Sequence, residues 1–374
     1  PYMPHSIVKT LCEISAKSAT ETDMNTFKSS RFSSHLSNIW RWIAFASVGL
    51  AAIIAAAPAF AHVRWFIDNE NPQASSFVPY TLTDTAVLVW IALVALMLFA
   101  SVVLDRVLPG LPIANSKIRH DVMELMRIFT GMSLLLTAYE GALVAPHLVA
   151  FGGFGLTLVF LQVAIGLLLI SNNFVYQASL LLILLYAGMI AKFGFVRSLE
   201  YVNTIGIALF LLFNYIPSDE WRERLKPYSV DMLRIFTGIA LVTLGVSEKL
   251  GGAIYGHAFI ANYDWNFMQM LGFDWFTDRL LVLSTGAMEV VFGLILIMGT
   301  ITRLTTLVIS ILMFTSNVVF LITGNNDEAL VEVIGHMPII STALILLLLG
   351  YGQRLKITRW PGTPSGTTPM AQSA

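Results

Sequence analysis

The sequence predicts an all-α membrane protein, a polytopic transmembrane helical bundle of about ten spans containing two parallel four-helix repeats. Three observations lead there. Of its 374 residues, 56% are hydrophobic and only 12% charged, about half the charge of an ordinary soluble domain. Apolar runs of roughly 20 residues, the length that crosses a hydrocarbon core, follow one another with short polar breaks. Two stretches of the chain also repeat each other in order.

Taken from the start, residues 1–38 are polar, Ser/Thr-rich and without helical periodicity, and read as a disordered leader or a mis-started extension, with Met24 as an alternative start. Residues 39–61 read as a signal peptide or a first transmembrane helix: Lys28, Arg31 and Arg41 precede an apolar run, and Ala59-Phe60-Ala61 has the small-x-small form of a cleavage site. Residues 62–121 hold an outer loop and a span at 84–104. A first four-helix unit, 122–217, carries spans at 122–145, 149–170, 174–192 and 198–216. A second, 231–350, carries spans at 231–250, 280–300, 303–323 and 331–350. Residues 351–374 form a cytoplasmic tail.

Basic residues fix the orientation. With the N-terminus inside, Arg106, Arg119, Arg222, Arg224, Arg303 and Arg354 all fall on the cytoplasmic side, as the positive-inside rule requires. Both termini are then cytoplasmic, unless the first span is cleaved, and the membrane is a bacterial inner one. The aromatic segments 62–83 and 251–278 face outward, with a composition suited to an interfacial belt. A formal net charge of −1 gives no sign of a nucleic-acid partner; the expected surroundings are membrane lipid. Cys12 is the only cysteine, which excludes an internal disulfide or a CxxC pair. No GxSxG, Walker A or HExxH motif is present, so soluble enzyme chemistry is set aside and whether the chain is an enzyme stays open.

The repeat begins with Arg127-Ile128-Phe129-Thr130-Gly131 and Arg234-Ile235-Phe236-Thr237-Gly238. Glu140 and Glu248 follow about four turns later, then Gln162-Val163-Ala164-Ile165-Gly166 matches Glu289-Val290-Val291-Phe292-Gly293, and Leu199-Glu200-Tyr201-Val202 matches Val331-Glu332-Val333-Ile334. Both units start on the same side, so the repeats are parallel rather than inverted. Through Arg234-x-x-x-Gly238, Gly245, Lys249, Leu250 and Glu289-x-x-x-Gly293, the second unit resembles the DoxX-like family of small four-helix membrane proteins; the resemblance covers most of 231–350 and, more faintly, 124–216. It implies a four-helix bundle per unit and, through relatives such as the DoxD subunit, a link to quinone-dependent sulfur oxidation. The first unit departs from the pattern at Glu140-Gly141 and Gln162, as a copy whose site has decayed.

Ionisable groups inside a span cost a few kcal/mol each and call for a partner or a task. Glu248, Glu289 and His336 all lie in the outer half of the assigned topology, where with His257 they surround one pocket. Glu289 is the expected proton-exchanging group at a quinone head group, His336 its hydrogen-bond partner and Glu248 the exit toward water. The plain alternative pairs Glu248 with Lys249 or Arg279 at the interface, lets Glu289 bond to neighbouring helices and makes His336 a helix residue beside Pro338. Arg127 and Arg234 either snorkel to lipid phosphates or pair with Glu124 and Asp231. Cleavage after Ala61 would free His62 as an N-terminal amine and imidazole clamp for copper. Three functions compete: a quinone-interacting membrane subunit working with a partner redox subunit, a transporter or copper- or cation-handling protein, and a structural subunit of a membrane complex.

Overall fold

A computed structural model describes residues 63–67, 72, 77–108, 114–351 and 353–358. The leader, the first apolar run and His62 lie outside the described residues, so the cleavage and copper expectations do too. The described chain is an all-α polytopic bundle with eight helices long and apolar enough to cross a membrane. Its helices are α1 (Thr85–Val107), α2 (Ser116–Tyr139), α3 (Gly152–Ser171), α4 (Val175–Phe193), the short α5 (Phe195–Leu199), α6 (Asn203–Tyr215), α7 (Asp219–Leu225), α8 (Ser229–Leu244), α9 (Ala253–Tyr263), the short α10 (Phe267–Met270), α11 (Asp278–Met298), α12 (Thr302–Ile322) and α13 (Asn326–Leu349).

Two expected spans are not simple helices. The run 198–216 is split into α5 and α6, because Tyr201 N–H and Val202 N–H bond three residues back, to Ser198 and Leu199. That tighter turn lets the consecutive Glu200 and Tyr201 both face inward, at 2% and 5% exposure. The run 231–250 is α8 continued by a π-helical turn, Gly245–Leu250, in which Gly251 N–H reaches five residues back to Val246 O at 2.7 Å. The wide turn carries the neighbours Glu248 and Lys249, both of them buried.

Glycines set how closely the helices approach. A Cβ on Gly238 would lie 2.6 Å from Gly293 O, and one on Gly245 would lie 2.8 Å from Gly286 O, so α8 and its π turn run against α11 at backbone contact. Helix α2 meets α3 likewise, Gly131 against Gly166 O at 2.9 Å. The packing order carries the same pattern: α2 on α3, α3 on α4 and α4 on α6 at one side, α8 on α11 and α12 on α13 at the other, with α6 against α8 and α13 against α2 joining the two. Helix α1 stands outside this ring against α11, tied by Ser101 Oγ to Thr300 Oγ1 at 2.9 Å and by Asp105, which accepts from Lys356 Nζ at 2.9 Å.

Arg127 and Arg234 are anchors within the bundle. Arg127 donates to the C-terminal carbonyls of α3, Leu169 O and Ile170 O, and pairs with Glu124. Arg234 does the same for α11, donating to Leu296 O and to Ile297 O at 2.9 Å, and pairs with Asp231 at 3.2 Å. It also holds Leu355 O, while Asp231 accepts from Arg354 N–H at 2.8 Å, locking the end of the described chain. Snorkelling is therefore not their role: both are buried, Arg234 completely, because helix-end carbonyls inside the bundle need donors.

The aromatics of 251–278 divide. Trp275 and Phe273 are exposed, as an interfacial belt requires, but Phe259, Trp265, Phe267 and Phe276 turn inward and pack with Phe66 and Phe320. The residue Phe66 belongs to a short inserted turn, Val63–Trp65 and its neighbours, whose docking supplies the apolar surface that buries them.

Candidate functional site

The site begins with that inserted turn. Val63 N–H donates to Glu248 Oε2 at 3.2 Å. Arg64 pairs with Glu200 Oε1 at 3.1 Å and lies over the Tyr255 ring. Trp65 Nε1–H donates to the Tyr201 hydroxyl at 3.0 Å, and its ring packs against His336 with centroids 4.9 Å apart. Four successive residues, Val63 to Phe66, thus tie the turn to the π turn, the Glu200–Tyr201 segment, α9, α12 and α13.

Beneath the turn lie the buried charges. Lys249 Nζ is 2.9 Å from Glu289 Oε1 and 3.6 Å from Glu248 Oε2, so one ammonium spans two carboxylates. Glu289 is 3% exposed, Glu248 0% and Lys249 4%. Glu200 accepts from Ser247 Oγ at 2.8 Å as well as from Arg64. Glu332 accepts from Ser316 Oγ at 3.2 Å across α12 and α13, and its backbone carbonyl lies 2.8 Å from His336 Nδ1. Each of the four glutamates keeps one buried carboxyl oxygen that has no hydrogen-bond partner among the described residues: Glu200 Oε2, Glu248 Oε1, Glu289 Oε2 and Glu332 Oε2. Such oxygens are costly in an apolar interior and call for a partner.

A cavity of about 100 Å³ runs between the two halves of the bundle. Glu289, His336, Glu200 and Trp65 line it, and farther along its walls turn apolar, with Leu241, Leu296, Ile309 and Leu346. Three residues facing it, Thr237, Thr306 and Thr342, spend their hydroxyl protons on their own helices, donating to Leu233 O, Thr302 O and Pro338 O, so their lone pairs and methyls are what remain. A largely apolar cavity with Glu200, Glu289 and His336 in its wall suits an amphipathic ligand.

Of the residues expected at the site, Glu289 and His336 share this cavity. Glu248 does not line it and is not an interfacial exit, since it is fully buried under Val63 and Lys249; Arg279 pairs instead with Asp84 at 3.3 Å. His257 sits apart in α9, its ring 4.9 Å from Phe77. Sequence reasoning gave no site role to Glu200 and Glu332, and took Lys249 only as an interfacial partner of Glu248, not of Glu289. The signal for the first two was present, because an acid at matching places in two apolar runs marks both. In the first unit, Gln162 stands where the second has Glu289, and its amide is consumed: it donates to Leu134 O, Thr137 Oγ1 and Ala142 O and accepts from Val144 N–H. The loop after α2 thus fills that place with the chain itself, holding Val144 at a φ of 60°, a costly conformation for a β-branched residue.

Among the described residues, no group of three or more His, Cys, Asp or Glu side chains is placed to hold a metal ion. Comparison with protein-family models, with curated proteins and with solved structures returns no match for this chain.

Proposed function

We propose that the cavity binds the head group of a lipophilic quinone and that the protein is a DoxX-like, quinone-interacting membrane subunit associated with redox chemistry. The observation that carries this reading is that Glu289 and His336, two ionisable groups 47 positions apart, line one largely apolar cavity. A quinone ring carries two polar oxygens on a greasy body and tail, and the cavity has that distribution of polarity. Glu289 is the proton-exchanging carboxyl, held in place by Lys249, and the Trp65–His336 pair is the aromatic wall. Electrons enter or leave through a partner redox subunit. In this reading the two units are parallel repeats, the second holds the working site, and the first keeps its frame with Gln162 closed by its own loop. The polar end of the cavity faces the periplasm of a bacterial inner membrane, and the basic loops face the cytoplasm.

The test is mass spectrometry of lipid extracts from the detergent-purified protein. Quinone is expected at about one per chain with the natural sequence and is lost in Glu289→Gln. Its absence from both samples overturns the reading.

A further inference from the structure

On the other side of the Lys249–Glu289 pair lies a second, smaller chamber of about 20 Å³, lined by Val63, Lys249, Gly256, Trp265, Val282 and Thr285 among others. It is large enough for one water, which needs roughly 10–15 Å³ of such space and two to four polar partners. Those partners are present. Trp265 is 3% exposed, and among the described residues no group accepts from its Nε1–H, an indole that can only donate. Lys249 has three donor hydrogens and two carboxylates to receive them, one of those at the long distance of 3.6 Å. Thr285 gives its hydroxyl proton to Leu281 O at 2.7 Å, which leaves its oxygen open as an acceptor.

We propose that this chamber is a water site and the proton inlet of the cavity: one water accepts from Trp265 Nε1–H and Lys249 Nζ–H and donates to Thr285 Oγ1. The ammonium of Lys249 then divides two compartments, with Glu289 and the cavity on one side and exchangeable water on the other. A proton passes when an Nζ–H bond breaks as an Oε–H bond forms on Glu289; the Nζ–H bond is restored as an O–H bond of the chamber water breaks, and that water regains its proton from hydronium of the outer aqueous phase, which is the proton source of the inlet. The route replaces Glu248, whose Oε2 is occupied by Val63 N–H. The inlet's role rests on the cavity being a proton-exchanging site, whereas the water site stands on its own geometry.

The experiment is water-exchange NMR on the full-length protein in detergent micelles, labelled with ¹⁵N at tryptophan and lysine. The Trp265 indole, assigned by Trp265→Phe, and the Lys249 ammonium are both expected to show cross-peaks with water. Val282→Ile adds one methylene to the chamber wall and is expected to remove both cross-peaks, with the other indole signals and quinone retention unchanged. Thr285→Val, which keeps the side-chain shape, serves as the second variant and is expected to weaken them at least threefold. A Trp265 indole with no water contact in the natural sequence, or cross-peaks that survive Val282→Ile unaltered, overturns the proposal. Absence of quinone from the natural protein overturns the cavity's reading and the inlet's role, and leaves the water site to be judged by NMR alone.

Discussion

Gly335 makes room for Trp65: a Cβ at position 335 would fall 2.2 Å from the indole Cζ3, so the ring occupies the volume that a side chain on α13 would take. The glycine acts at a distance of 270 residues in sequence, and its absent side chain is what admits the inserted turn beside His336. Gly335→Ala is therefore expected to displace Trp65, lower stability by about 1–3 kcal/mol as overpacking does, and shift the indole fluorescence to longer wavelength. Unchanged emission and melting would show that the ring is not seated there.

Lys249 balances two buried carboxylates, so Lys249→Met leaves charges in the interior without a counter-ion. Breaking such a pair from one side costs roughly 3–5 kcal/mol. Thermal unfolding in detergent is expected to show that loss, and the double variant Lys249→Met/Glu289→Gln is expected to recover part of it, since the second change removes an orphaned charge.

Arg234 and Arg127 make corresponding bonds in different surroundings. Lysine cannot keep the forked contacts to two carbonyls and a carboxylate, so each Arg→Lys change is expected to destabilise by about 1–3 kcal/mol. The larger effect belongs to Arg234, because Asp231 is 0% exposed whereas the Glu124 side chain is 24% exposed. Equal shifts in melting temperature would contradict that ranking.

The loop residue His147 gives a pH dependence. Burial first, then the nearby Arg64 and Arg197, hold its imidazole down from 6.5 to about 3. The unfolded chain binds this proton as pH falls below 6.5 while the folded chain does not until near 3. This contribution is therefore full above 6.5 and is lost on acidification across that window. The acid-side slope of stability in detergent is expected to be shallower for His147→Gln than for the natural chain.

Much of the frame was legible from composition alone, because a span must be long and apolar whatever it packs against. Nine of the expected apolar runs fall on helices, although 198–216 and 231–250 do so with breaks that hydropathy does not register. What escaped was the depth of the charges. Lys249 reads as interfacial because it closes an apolar run, whereas Val63, from a segment that looks like an outer loop, and residues of α9 and α11 surround it. The pairing of Glu289 with Lys249 likewise depends on glycine contacts between α8 and α11 that no local pattern specifies.

The π turn marks a difference of one residue in chain length. Glu140 follows Arg127 by thirteen positions and ends up exposed beyond the last turn of α2; Glu248 follows Arg234 by fourteen and is sealed inside. Point substitution cannot interconvert the two, since what differs is the angular phase at which the chain arrives at the end of the helix. Removing a single codon between Gly245 and Leu250 would rotate everything beyond it by about 100°, carrying the lysine away from its carboxylates. A one-residue insertion or deletion in this turn is thus a second genetic route to losing the site, beside exchange of its charged side chains.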